Sequence, residues 1–135
     1  MSVFRFVLLI ITLSSYVQKL QAQNAPKHED QKEWVKHMLQ SDTRKLLNFM
    51  SPMVDVDLPT QRGAFNQSQL QNVLNNFFRQ HPPTSITIEQ QGALNPRNDY
   101  FIGTYTSGEM EYRLYIQAEK QTEGHKIFSF SIQRK

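Results

Sequence analysis

The stretch "YFIGTYTSGEMEYRLYIQAEK", residues 100–120, decides how this 135-residue chain folds. Two runs of alternating side chains flank a Ser-Gly turn signal, the pattern of a β-hairpin. With Ser107-Gly108 as a two-residue loop, Tyr105 is expected opposite Met110, Gly103 opposite Tyr112, and Phe101 opposite Leu114. All six then share one face, which continues to Ile116. A one-residue slip would scatter this apolar set over both faces. Gly103 across from Tyr112 would leave room for a ring. The other face carries Glu111, Arg113, Tyr115 and Ile102, a semi-apolar surface that suits a partner.

Toward the C-terminus the same face recurs. Leu114, Ile116 and Ala118 are expected opposite Ile132, Phe130 and Phe128, across a three-residue loop Thr122-Glu123-Gly124. Glycine at the third position fits the positive φ such loops adopt. Ile127 then falls on the outer face. Upstream, "SITIEQQ" (85–91) alternates as a strand with Ile86 and Ile88 on one side.

Before the strands lies "FNQSQLQNVLNNFFRQHPP", residues 65–83. Asn66 and Gln69 form a capping box, and Phe65 and Leu70 are spaced for a hydrophobic staple. Leu70, Val73, Leu74, Phe77 and Phe78 make the clearest helical stripe in the chain. Pro82-Pro83 stop the helix, and His81 reads as its C-terminal cap rather than a catalytic base. Further upstream, Trp34, Val35, Met38 and Leu39 give a first helix over about 29–40. Asp42 caps a short second helix carrying Leu46, Leu47, Phe49 and Met50, which Pro52 is expected to end. "MVDVDL" (53–58) is a strand with Val54, Val56 and Leu58 inward, followed by a turn over Pro59–Gly63. The fold class is α+β: N-terminal helices packed on a curved antiparallel sheet.

Composition bounds the function. Residues 1–22 place Arg5 before an apolar run from Phe6 to Leu13, then small and polar residues to Ala22, the layout of a signal peptide. That run is too short to span a bilayer. Residues 23–29 read as a flexible lead-in and 30–135 as one domain, so an exported protein, periplasmic or secreted, is expected. With Arg5 and Lys19 removed, thirteen basic groups face twelve acidic ones, which argues against nucleic acid as a partner. The chain has no cysteine, and its four histidines form no metal pattern. No catalytic residue, metal site or cofactor is assigned. Asp55 and Asp57 fall on a solvated strand face.

The helix ending Phe77-Phe78…Pro82-Pro83, the Ile102-Gly103-Thr104 step, Tyr112-Arg113 and the closing "SFSIQRK" (129–135) carry a resemblance. From about Lys32 onward the chain resembles domain-of-unknown-function family 4783, a family of exported bacterial proteins. The resemblance implies a cone similar to nuclear transport factor two, also called cystatin-like, with a pocket between sheet and helices. It implies no reaction, because relatives on that cone include ketosteroid isomerase, scytalone dehydratase and proteins that only bind.

Two readings follow. One is a non-enzymatic binding or interaction domain holding a small apolar ligand between Trp34, Phe77, Tyr105 and Tyr112. Alternatively it presents Arg113 and Tyr115 on its sheet face to a second copy or an envelope protein. The other is a small isomerase or hydro-lyase with the tyrosines as proton donors, against which the lack of an inward Asp, Glu or His weighs. An imidazole or carboxylate within reach of either tyrosine hydroxyl would favour the enzyme.

Overall fold

The computed structural model describes residues 29–135; residues 1–22 and most of the lead-in lie outside the described residues. Helix α1 spans Glu29–Leu39 and α2 spans Thr43–Leu47, followed by strands β1 (Met50–Asp57) and β2 (Arg62–Asn66). Helix α3 (Gln67–Gln80) leads into β3 (Ser85–Ala93), β4 (Asn98–Ser107), β5 (Met110–Lys120) and β6 (His125–Arg134). The strands form one sheet in the order β2-β1-β6-β5-β4-β3. All neighbours are antiparallel except β1 and β6, which run parallel, so the sheet is mixed rather than antiparallel. The chain reaches β6 from β1 only after α3 and a three-strand meander, and that long connection permits parallel pairing.

The helices form where the sequence places them. Asn66 accepts from the Gln69 amide while Gln69 returns a bond to the Asn66 amide, a complete capping box. Leu70, Val73, Leu74, Phe77 and Phe78 are all buried, and Phe65 packs against the same core. Asp42 caps α2 by accepting from the Lys45 amide. On α1 the buried residues are Trp34, His37 and Met38, whereas Leu39 is exposed.

Pro52 does not end α2. The helix stops at Leu47, and Met50 and Pro52 lie inside β1. Proline is tolerated there because the β1–β2 ladder begins only at Met53, and the β1–β6 register breaks between Met50 and Asp55. Gly63, expected in a turn, belongs to β2, opposite Val56.

The β4–β5 hairpin keeps the expected face but not the expected register. Tyr105 pairs with Tyr112, Gly103 with Leu114, and Phe101 with Ile116. The loop is Gly108-Glu109, with Gly108 at φ 59, because the first central position of this turn favours positive φ. The slip is two residues, so every side chain stays on its side. Gly103 therefore accommodates no ring. A Cβ there would lie 2.2 Å from the Thr87 carbonyl oxygen, since β3 bulges between Ile88 and Gln90 and presses its backbone onto β4.

In β5–β6, Leu114 faces Ile132 and Ile116 faces Phe130 as expected, but Ala118 faces Ile127. Phe128 is the extra residue of a bulge, and the loop lengthens to Gln121–Gly124. The bulge inverts the alternation, burying Ile127 and leaving Phe128 half-buried. Ile127→Ala should therefore cost about 2–5 kcal/mol in urea unfolding, as a full cavity does. Phe128→Ala should cost much less; the reverse order would restore the unbulged register.

Candidate functional site

Two polar clusters interrupt the apolar interior, at opposite ends of β4. Tyr105 and Asp99 are six residues apart on that strand, roughly 20 Å at the usual rise.

The first cluster gathers around the end of α3. His81 is its C-terminal cap, with its amide bonded to the Phe77 carbonyl. Tyr105 donates its hydroxyl to the His81 carbonyl at 2.5 Å. The Tyr112 hydroxyl lies 3.2 Å from His81 Nδ1. Rings fill the space between: Phe77 stands 5.6 Å from Tyr105, and Tyr105 stands 6.1 Å from Tyr112. Burial pushes the Tyr105 hydroxyl above the usual phenol range, and Tyr112 adds to that shift. Tyr105 is thus a persistent donor and a poor acid.

The residues proposed for a pocket separate into two sets. Phe77, Tyr105 and Tyr112 meet at this cluster, whereas Trp34 packs edge-on against Phe101 at 5.2 Å. All four are between 0 and 4% exposed. Among the described residues, the open surface recesses of about 350–430 Å³ are lined by other side chains than these. Arg113 is exposed on the outer face between Thr104 and Gln133, and Tyr115, between Ile102 and Ser131, accepts from Gln117.

The second cluster corrects the expectation that no Asp or His points inward. His125, at the start of β6, places Nδ1 2.9 Å from Asp30 of α1 and Nε2 2.8 Å from Asp99 of β4. Lys120 reaches the other Asp99 oxygen at 3.4 Å, and the edge of Phe101 packs on the imidazole. Gly124 makes the approach possible: it holds φ 77, and a Cβ there would meet Asp30 Oδ2 at 2.8 Å. Partial signals were present in the sequence. Asp30 precedes Trp34 and Met38 at intervals of four, on their helical face. Asp99 shares the parity of Phe101 and Tyr105. His125 was hidden by the bulge, which reverses parity between Phe130 and Ile127.

The cluster is a polar clamp that joins α1, β4 and β5 to the start of β6. Among the described residues, no group of His, Cys, Asp or Glu is arranged to hold a metal ion. Nor is any described helix long and apolar enough to cross a membrane.

Residues 32–133 match the family described as Domain of unknown function (DUF4783). The chain belongs to that family. The DUF4783 fold is seen in crystal structures from Bacteroides. The Bacteroides uniformis protein is 15% identical with a TM-score of 0.68, over 83% of this chain and 98% of its own. The Bacteroides ovatus protein is 14% identical with a TM-score of 0.66, over 75% and 91%. An NTF-2 like protein of unknown function from Burkholderia xenovorans gives 10% and 0.58, over 80% and 83%. The fold is thus that of the nuclear transport factor two-like cone. Among curated proteins, none matches the chain.

Because Tyr105 resists ionisation when folded, the stability it supports is complete below the ordinary phenol pKa of 10.0 and is lost as pH rises above it. In an alkaline absorbance titration, this tyrosine should ionise only together with unfolding. Tyr105→Phe should remove that late step and cost about 1–3 kcal/mol, since it strands the His81 carbonyl.

Proposed function

We propose that the mature protein, freed of residues 1–22, is an exported non-enzymatic interaction domain. It meets a protein partner, an envelope protein or a second copy, through the outer face of its sheet. The observation that carries this reading is where the polar and aromatic groups are spent. The tyrosine hydroxyls inside the cone are engaged by His81, and the four interior candidates are sealed. Outside, Arg113 is exposed beside half-buried Tyr115, Ile102 and Tyr100. Tyrosine and arginine are the residue types that most often anchor protein interfaces. Export is inferred from the leader-like layout of residues 1–22 alone.

A second reading is supported by one distance. The His81 imidazole stands 3.2 Å from the Tyr112 hydroxyl, the kind of pairing an isomerase or hydro-lyase uses for proton transfer. Against it, Tyr105 is committed to a backbone carbonyl and burial makes it a poor proton donor. This chemistry would be read as exchange of ketone α-protons with solvent deuterium, abolished by Tyr112→Phe and by His81→Ala.

The interaction reading is tested by native mass measurement on protein recovered from its own compartment. The chain should begin at Gln23 and be found as a dimer or a complex. Arg113→Glu with Tyr115→Ala should leave a folded monomer. An empty wild-type monomer, or a monomer retaining a small apolar molecule, would overturn it; the second result would restore ligand carriage in the cone.

A further inference from the structure

The Asp30–His125–Asp99 cluster serves neither reading above. We propose that His125 is a proton-operated latch, holding the first turns of α1 on the open end of the sheet and releasing them when the imidazole loses its charge.

The argument starts from donor counting. A carboxylate accepts and cannot donate, while a neutral imidazole has one N–H and one lone pair. His125 faces a carboxylate oxygen at both nitrogens, at 2.9 Å and 2.8 Å. Only the imidazolium satisfies both contacts. Loss of the proton turns a lone pair toward Asp30 or Asp99 and leaves two carboxylates beside one neutral ring. Among the described residues, the charged groups facing His125 are Asp30 from α1, Asp99 from β4 and Lys120 from β5. Lys120 contacts Asp99 only, and its side chain is 45% exposed, so water screens most of its effect. With the proton, these four side chains sum to zero charge; without it they sum to minus one. The contacts are mostly shielded, with Asp30, Asp99 and His125 side chains 13–14% exposed. An unmatched pair there is costly.

The geometry decides what such a mismatch would move. The C-terminal end of α1 is fixed by backbone bonds from Ser41 to Met38 and from Asp42 to His37. Its N-terminal end is tied to the sheet by Asp30. Trp34, one turn further on, is the next residue of that face and is buried against Phe101. Release at Asp30 therefore frays α1 from its start toward Trp34 and leaves α2, α3 and the sheet in place. Histidine is the side chain whose charge ordinarily changes near neutral pH.

Trp34 is the only tryptophan of the chain and reports directly on this end. Acrylamide quenching of its fluorescence would be measured on the mature protein at about pH 5.5 and about pH 8, spanning the usual histidine range. Quenching should rise by about two-fold or more at the higher pH, as expected for local opening. Far-UV circular dichroism should lose no more than a helical turn or two. His125→Gln cannot reach both carboxylates and should be quenched at the open level at both pH values. Asp30→Asn, which spares the sheet, should also abolish the pH step if the first variant does not fold, because its amide can accept from the imidazolium or donate to the neutral ring. His37→Gln controls for the histidine on α1 itself, which lies 3.7 Å from Glu33, and should keep the wild-type step. Quenching independent of pH in the wild type would overturn the latch. So would a step that survives in His125→Gln or Asp30→Asn, or one that disappears in His37→Gln.

Discussion

The sheet bends over its helices where its register breaks, and two of these three breaks are single-residue bulges. Near Glu89, β3 shifts register against β4, and at Phe128, β6 shifts against β5. Each bulge bends its strand and increases local twist. The bend at β3 brings the Thr87 backbone so near β4 that only glycine fits at position 103. The bend at β6 turns Ile127 and His125 inward, beneath α1. The β6 bulge thus sets both the local curvature and the inward turn of His125.

Around that bent sheet the core is a continuous set of rings and branched side chains. Trp34 reaches it from α1, Phe77 from α3, and Phe101, Tyr105, Leu114, Ile116 and Phe130 from the sheet. A disulfide-free domain of this size depends on such burial. Two polar groups of the sheet enter this core with partners, Tyr105 on the His81 carbonyl and His125 between two carboxylates, whereas Trp34 Nε1 and His37 Nδ1 on α1 are buried without one. The interior tyrosine hydroxyls are engaged by His81, whereas Arg113 is exposed on the outer face.

His81 illustrates how a local reading can be right and incomplete. As a cap it is legible from Phe77-Phe78 and Pro82-Pro83, and its amide does cap α3. That its carbonyl and ring also receive two tyrosines from β4 and β5 is a long-range fact, 24 and 31 residues away in sequence. Asp30 and Asp99 were legible by their spacing to Trp34 and Phe101. Their meeting at His125 was not, since it needs α1, β4 and β6 in one place.

The sequence by itself determined the family, the helices α1 and α3, and the inward faces of α3, β4 and β5. Capping residues, apolar spacing and turn glycines act over a few residues, and a register slip of two leaves faces unchanged. Only the tertiary structure decided the hairpin registers, the second edge strand β2, the parallel seam between β1 and β6, and the clamp at His125. These depend on where strands bulge and which backbones press together, and such contacts join residues that no local pattern links.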